Sequence, residues 1–306
     1  MINNTIINIL IIGGNSFIGK NLINVFNNKK YNLHILQRNF NDNEVNNYNY
    51  YYFSYFDIEK IIKIIEKNNI NCVIDLISTL IPSSNLDQFD YEIRNNYSTK
   101  LRLLKLYAEF NIKYVYISSG GTIYGNNSEI LQSEESILAP INFYGLSKLI
   151  FEQTIKNFSI SHNLKYLIIR PSNPYGFNQN INKLQGFVSV ALNNILLNKK
   201  IEIWGNGSVV RDYIYISDLV NAILDLIEKN IDNNIFNIGS GTGTTILQVI
   251  KEIEILTCKK AVLDFKNNRT IDVPINILDI SKIKQFIHFD PIPLNTGIKL
   301  FINAYN

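Results

Sequence analysis

Apolar runs alternate with segments in which apolar residues recur every three or four positions over the first half of the chain. The runs predict buried strands at residues 6–12, 33–36, 72–77, 114–118 and 166–169. The periodic segments predict helices at residues 17–26, 58–67, 101–110 and 144–158. Residues 41–55, rich in asparagine and tyrosine, predict an irregular connection. The alternation indicates an α/β fold of Rossmann type, a doubly wound parallel sheet with right-handed crossovers.

The regular alternation ends after Pro174. A helix is predicted at residues 187–197 and short strands at 201–204 and 236–238, between loops rich in glycine and proline. We expect a dinucleotide-binding domain at residues 1–172 and a smaller, irregular, mainly substrate-binding portion at 173–306. Residues 209–238 are expected to return to the first domain.

Four predicted strands are followed directly by Gly13, Ser78, Ser119 and Arg170. Ligands of doubly wound sheets bind beyond the carboxyl ends of the strands. We therefore expect the four loops at these positions to converge on one crevice.

The first of these loops is glycine-rich and has the sequence Gly13-Gly14-Asn15-Ser16-Phe17-Ile18-Gly19. A glycine-rich turn between a strand and a helix can bind a pyrophosphate, because helix-terminal amides face the anion and the glycines permit close packing. Where an acidic residue would bind the ribose of NAD, the chain has Gln37 followed by Arg38. Arg38 is either a ligand for the 2′-phosphate of NADP or a solvated surface residue.

A tyrosine and a lysine, Tyr144 and Lys148, lie four residues apart on one face of a predicted helix. A nearby ammonium, like the positive ring of an oxidised nicotinamide, lowers a tyrosine pKa from its usual value of about 10. The spacing alone is also common on helix surfaces. A hydroxyl-rich turn at residues 118–122 could supply a second hydrogen-bonding group for a substrate oxygen.

Taken in order, these segments resemble the extended short-chain dehydrogenase/reductases, specifically the nucleotide-sugar epimerase/dehydratase group that includes UDP-glucose 4-epimerases. The resemblance extends from Ile6 to about Phe301. Beyond the glycine turn, it rests on Asp57-Ile58, Asn96, residues 118–125, Tyr144 with Lys148, and residues 170–176, 204–213, 236–239, 269–274 and 278–282.

The resemblance implies that Tyr144 is the catalytic acid/base and that Lys148 binds the nicotinamide ribose and lowers the tyrosine pKa. The cofactor-binding residues that it implies are Gly13, Asn15, Ser16, Phe17, Ile18, Gly19, Arg38, Asp57, Ile58, Ile77, Asn96, Ser118, Tyr144 and Lys148. The substrate-binding residues that it implies are Thr79, Asn173, Arg211 and Arg269, with the two arginines as a clamp on a diphosphate.

The chain departs from the pattern of the family at several positions. Ser16 replaces the usual middle glycine, and Asp75 stands where many relatives carry a histidine. Gly120 aligns with the usual catalytic serine or threonine, so the hydroxyl must come from Ser119 or Thr122, and Ser119 is the favoured partner of Tyr144. The loop at residues 239–243 looks like a second dinucleotide turn, but in the family this turn is structural or borders the substrate pocket.

The leading functional hypothesis is C4 epimerisation of a UDP-hexose through a transient 4-keto sugar, with NAD as cofactor and NADP possible. The alternative is an NADPH-dependent reductase of a dTDP- or UDP-linked 4-keto-6-deoxy sugar. A non-catalytic nucleotide-binding protein is the third hypothesis, which the presence of both Tyr144 and Lys148 disfavours.

The net charge and the few cysteines and histidines disfavour two further kinds of function, nucleic-acid binding and metal binding. The net charge is only +3 and no long basic run occurs, so nucleic acid is not an expected partner. Two cysteines and three histidines without ligand spacing predict no metal site. Residues 6–12 are too short for a signal core or a membrane span, so we expect a cytoplasmic protein without a membrane partner. The resemblance adds the expectations of a homodimer and of a role in polysaccharide biosynthesis.

Overall fold

The computed structural model describes residues 7–26, 31–39, 48–126, 129–180, 186–267 and 273–305. The strands within these ranges are β1 (Ile7–Ile12), β2 (Tyr31–Gln37), β3 (Asn49–Tyr52), β4 (Cys72–Asp75), β5 (Lys113–Ile117), β6 (Leu131–Gln132), β7 (Tyr166–Pro171), β8 (Asn173–Tyr175), β9 (Lys200–Trp204), β10 (Val210–Tyr215), β11 (Asn234–Ile238), β12 (Gly243–Thr245), β13 (Val262–Lys266) and β14 (Ile275–Leu278).

The helices are α1 (Phe17–Phe26), α2 (Ile58–Asn68), α3 (Leu86–Tyr91), α4 (Ser98–Glu109), α5 (Phe143–His162), α6 (Phe187–Leu196), α7 (Ile216–Glu228), α8 (Ile246–Thr257), α9 (Ser281–Phe286) and α10 (Leu294–Asn303). A π-helical segment, Glu92–Tyr97, connects α3 to α4. No helix of the described ranges combines the length and the apolar composition that a membrane crossing needs.

Seven strands form the main sheet in the order β11-β7-β5-β4-β1-β2-β3. The neighbouring pairs from β7 to β3 are all parallel. From the interior strand β1 the chain adds β2 and β3 on one side and then β4, β5 and β7 on the other, so the winding direction reverses beside β1. This order confirms the predicted doubly wound Rossmann-type fold.

Polar residues at the helix ends explain where several helices begin and stop. Asn142 precedes α5 and its side chain accepts a hydrogen bond from the Gly145 amide at 2.8 Å. The same helix ends at Asn163, which has a left-handed backbone with φ of 56°. Asparagine suits both positions, because its short polar side chain caps helix N-termini and it tolerates positive φ. The asparagine-rich composition therefore has a structural use in this chain.

The connection predicted as irregular at residues 41–55 contains the edge strand β3, which corrects the prediction. Tyr51 and Tyr52 pair with Leu36 and Gln37 of β2. Tyrosine favours the half-buried surface of a strand, and this preference outweighs the neighbouring asparagines. Residues 41–47 lie outside the described residues.

The chain divides into two compact units. The first comprises Met1–Ser118, Asn142–Ile169 and Ile223–Ile235, and the second comprises Ser119–Ile141, Arg170–Ala222 and Phe236–Asn306. A core under α2, α4 and α5, which includes Ile61, Leu104 and Phe151, lies in the first unit. A separate core between α6, α8 and α10, which includes Leu192 and Phe301, lies in the second. The predicted boundary at residue 172 and the return of residues 209–238 remain predictions.

Candidate active site

The glycine turn of the first unit joins β1 to α1. Gly13 has a positive φ of 94°, and its amide donates to the Leu36 carbonyl of the neighbouring β2 at 2.9 Å. A Cβ on Gly19 would lie 2.6 Å from the Gly13 carbonyl oxygen and 2.7 Å from that of Gly14. Only glycine at position 19 therefore lets α1 start this close to the turn.

Ser16, which replaces the usual middle glycine, has a structural role in this turn. Its Oγ accepts a hydrogen bond from the Gly19 amide at 3.0 Å, as an N-cap of α1 does. Phe17 and Ile18 form the half-buried first turn of the helix, and the exposed Asn15 donates to the Asn39 carbonyl at 3.0 Å. The substitution thus preserves a helix start at which amides can face an anion.

At the ribose and adenine ends of the predicted cofactor site, the predicted residues are either exposed or have structural contacts of their own. Gln37 is the buried last residue of β2, and Arg38 after it is exposed. Asp57 caps α2 by accepting from the Lys60 amide at 3.3 Å and forms an ion pair with Lys60 at 2.8 Å. This lysine lowers the pKa of Asp57. Ile58 packs in the core, so the adenine-contacting role of the Asp57-Ile58 pair remains a prediction.

Two predicted cofactor residues each carry a buried polar atom without a hydrogen bond to the described residues: Asn96 Oδ1 and Ser118 Oγ. Asn96 is only 1% exposed and Ser118 only 2%. A buried polar group without a partner is costly, and a polar ligand could satisfy it. Together with the cradle at Gly13 and Gly19, these atoms fit a bound dinucleotide.

Glu92, which the sequence analysis missed, organises the loop after β4. Its Oε2 accepts hydrogen bonds from the Thr79 hydroxyl, from the Thr79 amide at 3.3 Å and from Asn96 Nδ2 at 2.7 Å. The structure thus brings Thr79 and Asn96 together through one carboxylate. The i,i+4 spacing of Glu92 and Asn96 on a helix was the available sequence signal.

The structure brings Tyr144 and Lys148 together on α5. Lys148 Nζ lies 5.4 Å from the Tyr144 ring centroid and donates to the Ile117 carbonyl at the end of β5 at 2.9 Å. The lysine is 5% exposed, and burial is the main cause that lowers its pKa to about 7. Repulsion from the Lys100 ammonium lowers the Lys148 pKa further.

A buried ion pair next to this lysine was also missed. Lys100 Nζ lies 2.9 Å from Asp75 Oδ2 and donates to the carbonyl of Ile77, a predicted cofactor residue, at 2.9 Å. Tyr114 donates to the same carboxylate oxygen at 2.7 Å. A carboxylate at the end of a buried strand needs a cation or hydrogen-bond donors as partners. The presence of Asp75 in the sequence could therefore have predicted a buried ion pair.

The second unit begins at Ser119, which opens a turn rich in hydroxyl side chains. Thr122 Oγ1 donates to Ser119 Oγ at 3.0 Å. A Cβ on Gly120 would lie 2.6 Å from Leu278 Cδ1 and 3.0 Å from the Arg170 carbonyl oxygen. A Cβ on Gly121 would meet nothing nearer than Asn173 Oδ1 at 3.6 Å. A side chain at Gly120, which the resemblance aligns with the catalytic serine or threonine, would therefore collide with its surroundings.

Two predicted substrate residues of the second unit lie on neighbouring strands. Asn173 on β8 donates to the Asp212 carbonyl of β10 at 2.8 Å. On β10, Arg211 Nη1 donates to the Val210 carbonyl at 2.9 Å and to the Val273 carbonyl at 2.6 Å. These bonds hold the guanidinium in place. The fourth predicted substrate residue, Arg269, lies outside the described residues.

The glycine-rich loop at residues 239–243 is bound by a carboxylate of the protein itself. Asp212 is completely buried and accepts hydrogen bonds from the Ser240 and Gly241 amides at 2.8 and 3.1 Å. Because these amides already have an anionic partner, the geometry agrees with a structural role for the loop. No cluster of histidine, cysteine and acidic side chains suited to a metal occurs in the described part of the chain.

Comparisons with known proteins add a family and several relatives. The family model of the NAD dependent epimerase/dehydratase family matches residues 9–239. A dTDP-4-dehydro-6-deoxyglucose reductase of Escherichia coli is 34% identical over 248 residues, which are 80% of this chain and 78% of the relative. A putative UDP-glucose 4-epimerase of Methanocaldococcus jannaschii is 28% identical over 96% of this chain and 97% of its own length. The crystal structure of Thermotoga maritima UDP-glucose 4-epimerase with UDP-glucose superposes with a TM-score of 0.91 at 30% identity, over 98% of both chains.

Proposed function

Since the chain belongs to the NAD dependent epimerase/dehydratase family, we propose that it epimerises a UDP-hexose at C4 through a transient 4-keto sugar. Family membership makes it an NAD-dependent enzyme of the isomerase or oxidoreductase type. The observation that carries the proposal is the geometry of Tyr144 and Lys148. A buried ammonium, held by the Ile117 carbonyl, lies 5.4 Å from the tyrosine ring.

In the proposed reaction, Tyr144 takes the proton of the sugar 4-hydroxyl and later returns a proton to the 4-keto oxygen. When Lys148 is protonated, its positive charge favours the phenolate of Tyr144 and therefore prepares the tyrosine to act as a base. Bound NAD would supply the hydride acceptor and donor for C4 of the sugar. Ser119, supported by the hydroxyl of Thr122, is the proposed second hydrogen-bonding group for the sugar oxygen.

The proposed cofactor contacts follow from the first unit. The turn from Gly13 to Gly19 would hold the pyrophosphate against the N-terminus of α1. The buried Asn96 Oδ1 and Ser118 Oγ atoms, which lack partners among the described residues, would bind polar groups of the dinucleotide. The exposed Arg38 would allow a 2′-phosphate as well, so NADP is a possible second cofactor.

The proposed substrate contacts are mainly in the second unit. The fixed guanidinium of Arg211 would bind the diphosphate, with Arg269 as its partner, and Asn173 would contact the nucleoside diphosphate. In the first unit, Thr79 would contact the substrate from the loop after β4. Support for UDP as the nucleotide comes from the Thermotoga maritima relative, whose structure contains UDP-glucose.

The test is an NMR time course of the purified protein with UDP-glucose, UDP-galactose or UDP-N-acetylglucosamine, in the presence of catalytic NAD and without added reductant. We expect the C4 epimer of one of these sugars to accumulate to equilibrium with no net change in NADH. Absence of an epimer from all three sugars, with NAD shown to be bound, would contradict the proposal.

The Tyr144→Phe variant tests the assignment of the acid/base. It should lose nearly all turnover and retain its affinity for NAD, because only the phenolic oxygen is removed. Tyr31→Phe is a matched control, since the Tyr31 hydroxyl bonds to Glu228 elsewhere in the first unit. Equal activities of the two variants would rule out Tyr144 as the acid/base.

An NADPH-dependent reductase of a dTDP- or UDP-linked 4-keto-6-deoxy sugar is the second candidate. The 34% identity to a dTDP-4-dehydro-6-deoxyglucose reductase supports it, as does the absence of an acidic residue at Gln37. The reductase would consume one NADPH for each sugar, whereas the epimerase consumes none. Following NADPH absorbance with a 4-keto-6-deoxy sugar therefore separates the two candidates.

We further infer from the resemblance a cytoplasmic homodimer that acts in polysaccharide biosynthesis, with no nucleic acid or membrane partner. Sedimentation of the purified protein tests the dimer directly. A monomer at micromolar concentration would contradict that part of the inference.

A further inference from the structure

Two buried lysines lie at the carboxyl ends of the neighbouring strands β4 and β5. Lys100 is 4% exposed and donates to the Ile77 carbonyl just beyond β4, at 2.9 Å. Lys148 is 5% exposed and donates to the Ile117 carbonyl of β5, also at 2.9 Å. Both ammonium groups contact the ring of Tyr116, at 5.2 and 5.0 Å from its centroid. The two cations therefore lie around one aromatic ring.

The two lysines have different partners. Lys100 is bound to the Asp75 carboxylate, which is 2% exposed and is fixed by hydrogen bonds from Tyr114 and from the Ile77 amide. Lys148 is bound to a backbone carbonyl and faces the rings of Tyr116 and Tyr144. Other charges near Lys148 are those of Glu92 in the π-helical segment and Glu152 on α5.

We propose that Asp75 and Lys100 are positioning residues that act on the reaction through the charge of Lys148. Charges interact strongly in a buried environment, because little water screens them. The Lys100 ammonium disfavours a second positive charge on Lys148, whereas the Asp75 carboxylate favours it. Burial is the main cause that lowers the pKa of Lys148, and the two members of the pair shift in opposite directions the pH range in which Lys148 is positive and can stabilise the Tyr144 phenolate. The inference rests on the proposed role of Lys148, but it can be tested on the lysine itself.

The experiment is an NMR titration of the full-length protein with ¹³C-labelled lysine, which follows the Cε resonance of Lys148. The Lys148→Met variant identifies this resonance by its loss. We expect Lys100→Met to move the titration midpoint up by about one pH unit, because a repelling charge is removed. We expect Asp75→Asn to move the midpoint down by a similar amount, because an attracting charge is removed.

Lys100→Met alone leaves a buried carboxylate unpaired and can therefore destabilise the fold. The double variant Asp75→Asn/Lys100→Met controls for this destabilisation. It removes both charges and should return the midpoint close to that of the wild type. Lys113→Met is the matched control, because the buried Lys113, at the beginning of β5, forms a second ion pair at 2.8 Å with the half-buried Asp232. It should lower the melting temperature without moving the Lys148 midpoint.

A purely structural pair would give lower melting temperatures and unchanged Lys148 midpoints in both Lys100→Met and Asp75→Asn, and that result would overturn the inference. It would also be overturned if the Lys148 midpoint moved while the pH profile of kcat/KM stayed fixed. Shifted midpoints in a protein that produces no epimer would support the charge relation and refute the proposed reaction instead.

Discussion

At the scale of single residues, Lys148 links burial to the pH dependence of stability. Its pKa is lowered to about 7, mainly by burial, whereas an unfolded lysine titrates near 10.5. Between these values the unfolded chain binds more protons than the native protein, so this group makes stability rise with pH. We predict that the free energy of unfolding of Lys148→Met, relative to wild type, falls by up to about 1.4 kcal/mol per pH unit from pH 7.5 to 9.

Urea denaturation of both proteins at several pH values measures this difference, and the other titrating groups cancel in the comparison. Arg38→Met, at an exposed position, is a suitable control and should show no such trend. A constant difference between Lys148→Met and wild type would mean that Lys148 is not neutralised in the native state.

Gly120 and Gly121 make a matched pair for a packing test. Gly120→Ser should destabilise the protein by about 1–3 kcal/mol, because its Cβ meets Leu278 and the Arg170 carbonyl in a filled core. Gly121→Ser should change stability little, since its Cβ comes no closer than 3.6 Å to any side chain or backbone atom. Chemical denaturation curves of the two variants check the prediction. Similar losses in both would indicate that the turn is loosely packed.

Single residues also show where sequence reasoning succeeds at the site. The spacing of Tyr144 and Lys148 predicts one helix face, and the structure brings the two side chains together. Lys100 could not be assigned in this way, because its partner Asp75 is 25 positions away in sequence and on a different element. The buried packing of Gly120 against Leu278 likewise depends on tertiary structure alone.

At the scale of elements, two substitutions of Asp57 distinguish its role as the N-cap of α2 from a role in binding the cofactor. Asp57→Ala should destabilise the protein by about 0.5–2 kcal/mol, since α2 loses its N-cap. Asp57→Asn should keep the stability, because asparagine caps about as well as aspartate. Thermal unfolding checks both expectations. A loss of NAD affinity in Asp57→Asn, measured separately, would support a cofactor contact of the carboxylate.

The elements that sequence periodicity predicts well are those with one clear apolar face or a fully buried run. Helix α1 has the predicted bounds, and α2 extends one residue beyond its predicted end. The edge strand β3 is missed, because its exposed side and its asparagine neighbours hide the strand pattern. The pairing with β2 that stabilises β3 is a tertiary interaction that local sequence cannot reveal.

At the scale of the whole molecule, the residues predicted to bind the cofactor and most of those predicted to bind the substrate belong to different compact units. All the residues expected to bind the cofactor, from Gly13 to Lys148, belong to the first unit. Among the residues expected to bind substrate, Asn173 and Arg211 belong to the second. If these assignments are right, a dinucleotide and a nucleoside diphosphate should protect different parts of the chain.

Hydrogen exchange followed by mass spectrometry tests this division in the full-length protein. NAD should slow exchange in peptides that contain the turn from Gly13 to Gly19 and the segment around Asn96, because a bound ligand stabilises the structure that it contacts. UDP should instead slow exchange in peptides around Asn173 and Arg211. The loop with Ser240 and Gly241 is an internal control, since its amides are already bound to Asp212 and should respond least to NAD. If NAD protected both units equally, the cofactor contacts would not be confined to the first unit, and the assignment of cofactor and substrate to different units would be refuted.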